Sequence, residues 1–303
     1  MAGQSALNQS TNVSSTLSPP LQLTELYLEF VSAGDIRYAT IRKEHYVVKK
    51  GNHGQQVHFL IWYKGKIAGI ISGGSAVYGC APRNDFFSMT SENTEKVING
   101  IVDNTTFRLI NHEKFLGSRV LSLWEQVTEA VWKELYGVYV FGFETFVVRT
   151  GLMREQINSD GTREVITVPD PEGHIRLGKM YEGAKWTYVG ESAGSAKGHD
   201  GVGLTGGITG KGSFLRKKTP KKSIYCKWAY GHSAPIESIY ESSWRVGAKL
   251  KKDDPKTGKR AGELVGTDEE QSKWRATKNL LTCKRKELIG KRFFRIQGKI
   301  ERI

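Results

Sequence analysis

The sequence predicts an α/β protein with a mixed central sheet and flanking helices. Three observations lead there. "VHFLIWYKGKIAGIISG", "IVDNTTFRLI" and "VYVFGFETFVV" are dense in β-branched and aromatic residues and read as strands. Between the second and third lies "LGSRVLSLWEQVTEAVWKELYG", in which Leu116, Val120, Leu123, Val127, Val131 and Leu135 make one apolar stripe that Gly137 stops. A long helix between two strands of one sheet implies a crossover and hence a right-handed α/β unit.

In chain order, residues 1–22 are polar, rich in Ser, Asn and Thr, and read as a flexible arm. "LQLTELYLEFVSAG" shows helical spacing through Leu23, Leu26 and Phe30, with Gly34 as a stop, and predicts a helix. "HYVVKK" reads as a strand, and "YKGK" at Tyr63 to Lys66 as a tight turn. "REQINSDGTREVITVPDPEGHI" reads as an inserted hairpin or long loop, turned at "SDG" and "PDPEG". A short helix follows, marked by the spacing of Tyr181, Ala184 and Tyr188, and then a glycine-rich segment. "KKSIYCKWAYG" reads as the last core strand. Past it, "KLKKDDPKTGKRAGELVGTDEEQ" reads as an exposed loop, and "SKWRATKNLLTCKRKELIGKRFFRI" as a basic amphipathic helix followed by a strand. The expected division is an arm at 1–22, an α/β domain at 23–232 and a basic C-terminal extension at 233–303.

The chain has 303 residues, 38% of them hydrophobic and 25% charged, as expected of a soluble globular protein. No run approaches the roughly 18 to 20 apolar residues of a membrane span. The N-terminal residues lack the basic-then-apolar order of a secretory signal. Cys80, Cys226 and Cys283 are odd in number and widely spaced, which points to a reducing cytoplasm. Cys80, between "YG" and "AP", is either a nucleophile or a buried apolar thiol. The seven histidines show no metal-ligand spacing, and no metal is expected.

Net charge is +14, and its distribution is uneven. Residues 211–303 hold 25 of the 45 basic residues and 10 of the 31 acidic ones, a net +15 that leaves the first 210 residues at −1. A field gathered in the last third favours a polyanion, and DNA is the expected partner.

Several residues are placed for chemistry. "NHEKFLGSRVLS" joins a strand to the start of the long helix, where unpaired N–H groups and the helix dipole favour a phosphate. Gly117 would allow close approach, Ser118 would donate or cap, and Arg119 would pair with the anion; the same residues also fit an ordinary helix start. Glu144 is a carboxylate in an apolar strand, costly unless paired or at an open end, and its raised pKa would suit a general base. Tyr181 is a candidate proton donor or a core tyrosine. Arg83 and Asp85 in "CAPRNDFF" read as a loop pair that orients a substrate or makes a surface salt bridge. Asn104 and Arg108 flank a central strand. Nine glycines between 190 and 212 make a chain able to follow a ligand backbone, with Lys197, Lys211, Arg216, Lys217, Lys218, Lys221 and Lys222 supplying charge. Trp186 and Tyr188, just before them, are candidates to stack on exposed bases.

The series "GKIAGIISGGSA", "APRNDFF", "NGIVDNTTFRL", "FLGSRVLSL", "FETFV", "YEGAKWTYVGESAG" and "PKKSIYCKWAY" resembles the DruA-like family of anti-phage defence proteins. It is more distantly similar to the phage Mom-like DNA modification proteins, which are related to the GNAT acyltransferases. The resemblance covers about residues 25–230. It implies an acyltransferase-like fold with a splayed central strand pair, and acyl-CoA or acetyl-CoA held at the turn of Leu116, Gly117, Ser118 and Arg119. It implies Glu144 as the acidic group, Tyr181 as the acid that protonates the departing thiolate, and transfer to a base amine, adenine in the Mom-like case, as in restriction evasion. "HEKFLGSRV" keeps one glycine of the acyl-CoA pattern, and "RNDFF" interrupts the DruA-like Arg-Asp-x-Trp. A non-enzymatic DNA-binding phage or defence protein on the same core is the alternative.

Overall fold

The computed structural model describes residues 25–47, 54–110, 113–157, 159, 163–171, 173, 175–192, 221–237, 251–253, 260–264 and 267–303. The first half contains β1 (Leu26–Val31), α1 (Ile36–Lys43), β2 (Gln56–Tyr63), β3 (Lys66–Ser75), the short helices α2 (Ala81–Phe86) and α3 (Thr94–Val97), β4 (Ile101–Leu109), α4 (Leu116–Tyr136) and β5 (Gly142–Val147). Then come β6 (Leu152–Ile157), β7 (Arg163–Val168), α5 (Lys179–Gly183), β8 (Thr187–Glu191) and β9 (Ser223–Trp228). The C-terminal part adds β10 (Lys251–Asp253), β11 (Arg260–Leu264), α6 (Asp268–Leu288), β12 (Arg292–Ile296) and β13 (Lys299–Arg302).

Nine of these strands form one sheet in the order β13-β12-β1-β2-β3-β4-β5-β9-β8. Every neighbouring pair is antiparallel except β4 and β5, which run parallel and so need α4 as their connection. The sheet is mixed, as the sequence predicts. Strands β6 and β7 form a separate hairpin, and β10 and β11 another. The β2–β3 turn has Lys64 at φ 50° and Gly65 at φ 74°, the left-handed pair that a two-residue hairpin requires. α4 matches its expected limits and ends on Gly137 at φ 69°. Its stripe, with Trp124 and Trp132, packs on the sheet as the centre of the main core. Among the described residues no helix is long and apolar enough to cross a membrane.

Several expectations change. "KLKKDDPKTGKRAGELVGTDEEQ", read as an exposed loop, contains β10, β11 and the start of α6, and Tyr188, read onto the short helix, lies in β8. "LYLEFV" is β1, not part of a helix; Leu23 lies outside the described residues. All six residues of β1 are buried: β2 and β12 pair with its two edges, and its side chains enter the main core on one face and a smaller cluster with Tyr38, Leu60 and Ile70 on the other. A strand covered on both faces reads as a near-continuous apolar run, and Leu26 and Phe30 within it, with Leu23 before it, mimic helical spacing. "HYVVKK" leaves α1 as a bend with one bridge at Val47, and residues 48–50 lie outside the described residues.

The region read as an extension contributes to the main sheet. β12 pairs with β1 at Leu28↔Phe293 and Glu29↔Arg292. Phe293, Leu281 and Leu288 are buried in the same core as α4. Lys284 Nζ donates to the Glu134 carbonyl at 2.9 Å, tying α6 to the end of α4. The arm at 1–22 lies outside the described residues.

His45 and His58 are buried, and desolvation pushes each imidazole down to about 4. His58 Nδ1 lies 3.1 Å from Ser72 Oγ, which is 2.6 Å from the Tyr38 hydroxyl. A base whose folded pKa is depressed stabilises the fold above its ordinary value near 6.5, and that contribution is lost as pH falls through 4. NMR titration will show the His58 ring neutral down to about pH 5, and His58→Gln will flatten the loss of stability between pH 6.5 and 4. Phe293→Ala will lower the unfolding free energy by about 3–5 kcal/mol in urea denaturation. A C-terminal part independent of the core would leave that transition unchanged.

Candidate functional site

The parallel ladder between β4 and β5 has three rungs, Ile101↔Gly142, Val102↔Phe143 and Asp103↔Glu144. β4 continues with β3 as far as Leu109↔Gly69, and β5 with β9 as far as Val147↔Ser223. Each strand therefore follows its outer neighbour, and the sheet splits beyond Asp103 and Glu144. Polar side chains fill the split. Tyr181 Oη donates to Asn104 Oδ1 at 2.9 Å and lies 3.4 Å from Thr145 Oγ1. Thr145 Oγ1 donates to the Asn104 carbonyl at 3.2 Å, spanning the gap directly. Asn104 Nδ2 donates to the Ser72 carbonyl at 3.1 Å, which fixes the amide orientation. Burial drives the Tyr181 pKa well up, so the hydroxyl keeps its proton and acts as a donor.

Glu144 is placed differently from expectation. Successive residues on a strand face opposite sides, and Phe143 packs on Trp124 of α4. Phe143, Thr145 and Tyr181 therefore share the α4 face, whereas Glu144 points to the other. There Glu144 Oε2 accepts from Arg83 Nη1 at 2.8 Å, and Oε1 accepts from the Val77 N–H at 3.2 Å. Both side chains of the pair are fully buried. Burial pushes the Glu144 carboxyl up to about 8, with Arg83 opposing and Asp103 adding to the rise. Glu144 and Tyr181, which the resemblance implies as partners in one reaction, thus lie on opposite faces of the sheet and share no cleft with the 115–119 turn. Glu144 is sealed against solvent and committed to a guanidinium, which removes it as a ready general base.

Arg83 is a structural clamp. Its Nη2 donates to the Val77 and Tyr78 carbonyls at 2.7 and 3.2 Å, and its Nε to Asn84 Oδ1 at 2.7 Å. It holds the 77–78 backbone against the middle of β5 and leaves Val77 and Tyr78 exposed. Asp85, two residues on in α2, is exposed, and Arg83 pairs with Glu144 instead of with it. Cys80 is buried, and desolvation raises its thiol pKa, the reverse of an activated nucleophile.

The start of α4 differs in detail as well. Phe115, at φ 63°, precedes the helix, and Ser118 Oγ donates to its carbonyl at 3.1 Å, so Ser118 is not the cap. The Leu116 side chain is in the core, and its N–H already donates to the Glu113 carbonyl at 3.2 Å. A β-carbon on Gly117 would meet the Met180 side chain at 3.3 Å, so the close approach made there is that of α5. Ser118 and Arg119 do line a cavity of about 740 Å³ with Gly183, Lys185, Lys227 and Arg295. Arg119 lies over the Tyr63 ring, 5.5 Å from its centroid.

Trp186 does not stack on a ligand. It is buried between Tyr181 and Phe143, and its Nε1 donates to Glu125 Oε1 at 2.6 Å. Tyr188 is half exposed, edge-on to Tyr225. Lys221 is exposed, 3.8 Å from Glu191, and Lys222 exchanges hydrogen bonds with Ser192. Lys197, Lys211, Arg216, Lys217 and Lys218 lie outside the described residues.

Thr145, Asp103, Lys185, Lys227 and Arg295 escaped the sequence reading. Lys227 in "IYCKWAY" and Arg295 in "FFRI" carry the signal that singled out Glu144, a charge within an apolar strand. Lys227 Nζ reaches Glu125 Oε2 at 2.5 Å and the Ala184 carbonyl at 2.8 Å.

No protein-family model and no curated protein matches this chain.

Arg83→Met will destabilise the protein by about 3–5 kcal/mol in chemical denaturation, since it leaves Glu144 as an unpaired buried carboxyl. Arg83→Met combined with Glu144→Leu will recover most of that loss. Equal losses in the single and double variants would contradict the pairing.

Proposed function

We propose that this protein is a group-transferase with an acyltransferase-like core, carrying an acyl-type group to an exocyclic amine of a nucleic-acid base, adenine in DNA being the first candidate. The observation that carries the reading is the split between β4 and β5 with the Tyr181 hydroxyl lodged in it. A splayed central strand pair beside a long helix is what the GNAT-like resemblance implies, and the short β4–β5 ladder with α4 as its crossover supports that reading. An acyl-CoA type donor would supply an electrophilic thioester carbon. Ser118 and Arg119, beside a cavity lined by further cations, are the residues that would hold its phosphates. Tyr181 holds a proton at Oη in the split; given to the thiolate as the C–S bond breaks, it would be replaced by the proton that the attacking amine loses. The net +15 of residues 211–303 favours a polyanionic acceptor. A base edge inside a duplex is inaccessible, so the acceptor would be flipped out or single-stranded.

One observation favours the second reading, a nucleic-acid-binding protein without catalysis. The carboxylate best placed by sequence to accept the amine proton is closed off in the Arg83 pair on the far face.

Mass spectrometry of nucleosides from cells expressing the wild type or Tyr181→Phe separates the two. The expected result is a nucleoside of added mass with the wild type, reduced by roughly 10²-fold or more with Tyr181→Phe, the usual size of a general-acid contribution. No new nucleoside in DNA or RNA, with nucleic-acid binding retained, would establish the second reading.

A further inference from the structure

The two distant parts of the sheet both reach α4. From β12, Arg295 Nη2 donates to the Ser122 carbonyl at 2.8 Å and Nε to Gln126 Oε1 at 3.1 Å. From β9, Lys227 grips Glu125. The cavity of about 740 Å³ opens where these two parts converge on the first turns of α4. Its apolar lining is Leu26, Leu123 and Ala184, and its cations are Arg119, Lys185, Lys227 and Arg295. Glu25 is the carboxylate among the lining residues.

The charge in this cavity is incompletely compensated. Lys227 is neutralised by Glu125, but Arg295 spends its bonds on neutral acceptors and keeps Nη1 uncommitted among the described residues. Arg119 and Lys185 have no ion-pair partner among the described residues. Among the lining residues three cations thus face one carboxylate, with Glu113 near Arg119 and Glu125 near Arg295 outside the lining, across a space within the range of about 300–1,000 Å³ typical of ligand pockets. Convergent guanidinium and ammonium groups with adjacent hydroxyls, Ser118 and Ser122, match phosphate oxygens, which accept several such donors at once. The apolar wall provides a surface for an uncharged moiety.

We propose that this cavity binds a phosphorylated small molecule of nucleotide size, with Arg119, Lys185 and Arg295 on its phosphates. The assignment deepens the group-transfer reading, and rests on it for the ligand's role as the donor's handle; binding itself does not need catalysis. It also gives the C-terminal strand β12 a part in the site, through Arg295, beyond the region in which the resemblance lies.

Isothermal titration calorimetry of the full chain with ADP, and separately with inorganic pyrophosphate, tests this. The expected result is saturable binding of one ADP per chain. Lys185→Glu, at an exposed position, should weaken it by about tenfold or more, the loss of a charge-assisted contact. Arg295→Ala should do the same. Lys286→Glu, an equal change of net charge on an exposed position of α6 outside the cavity, should leave ADP affinity unchanged. No saturable binding, or equal weakening by Lys185→Glu and Lys286→Glu, overturns the proposal. A modified nucleoside made by a protein that binds neither ADP nor pyrophosphate would sink the cavity while sparing the transfer reading. ADP binding through Lys185 without any modified nucleoside would uphold the cavity and remove the transfer.

Discussion

The rest of the molecule depends on one constraint, the three-rung parallel ladder between β4 and β5. Parallel neighbours cannot be joined by a tight turn, so the chain must cross over, and α4 is that crossover. Its apolar stripe then becomes the centre of the core against which β1, β2, β5 and β12 pack. Because the ladder is so short, β4 and β5 part where their outer neighbours hold them more strongly. The gap leaves backbone and side-chain polar groups to be satisfied inside the protein, and Asn104, Thr145 and Tyr181 satisfy one another there.

The last rung also explains the buried charge. Glu144 sits where the ladder ends, opposite Asp103, in a place that water does not reach. A carboxylate there is tolerable because Arg83 reaches it and because the remaining guanidinium protons find carbonyls at Val77 and Tyr78. The pair contributes position more than net energy, since taking two charges out of water offsets much of their attraction. Its structural effect is to fasten the segment after β3 to the middle of β5, with Tyr78 left at the surface. On the opposite face, Glu125 plays a similar part between Trp186 and Lys227.

Much of the fold was legible from local pattern. α4, the β2–β3 hairpin, β4, β5, the β6–β7 hairpin and the helix-strand pair at the C-terminus all follow from periodicity and turn chemistry within a short window. β1 was not, because burial on both faces erases the alternation that marks a strand, and only β12, more than 250 residues away in sequence, supplies its second neighbour. The site was legible in residue type and not in arrangement. Glu144, Arg83 and Tyr181 were each singled out by residue type, but the pairing of Glu144 with Arg83, not Arg83 with Asp85, depends on which strand face a residue occupies. Trp186 read as a stacking residue because a sequence cannot show that Glu125 waits for its indole N–H.

By itself the sequence determined the alternation of strands and helices, the limits of the central helix, and the concentration of positive charge in the last third. Those are properties of neighbouring residues or of composition, and local propensity and counting suffice. Tertiary structure alone decided the split between β4 and β5, the separation of Glu144 and Tyr181 onto opposite faces, and the meeting of Arg119, Lys185, Lys227 and Arg295 around one cavity. Each of these depends on strand order and register, which arise from pairings between distant segments and bring residues from both ends of the chain to the same helix.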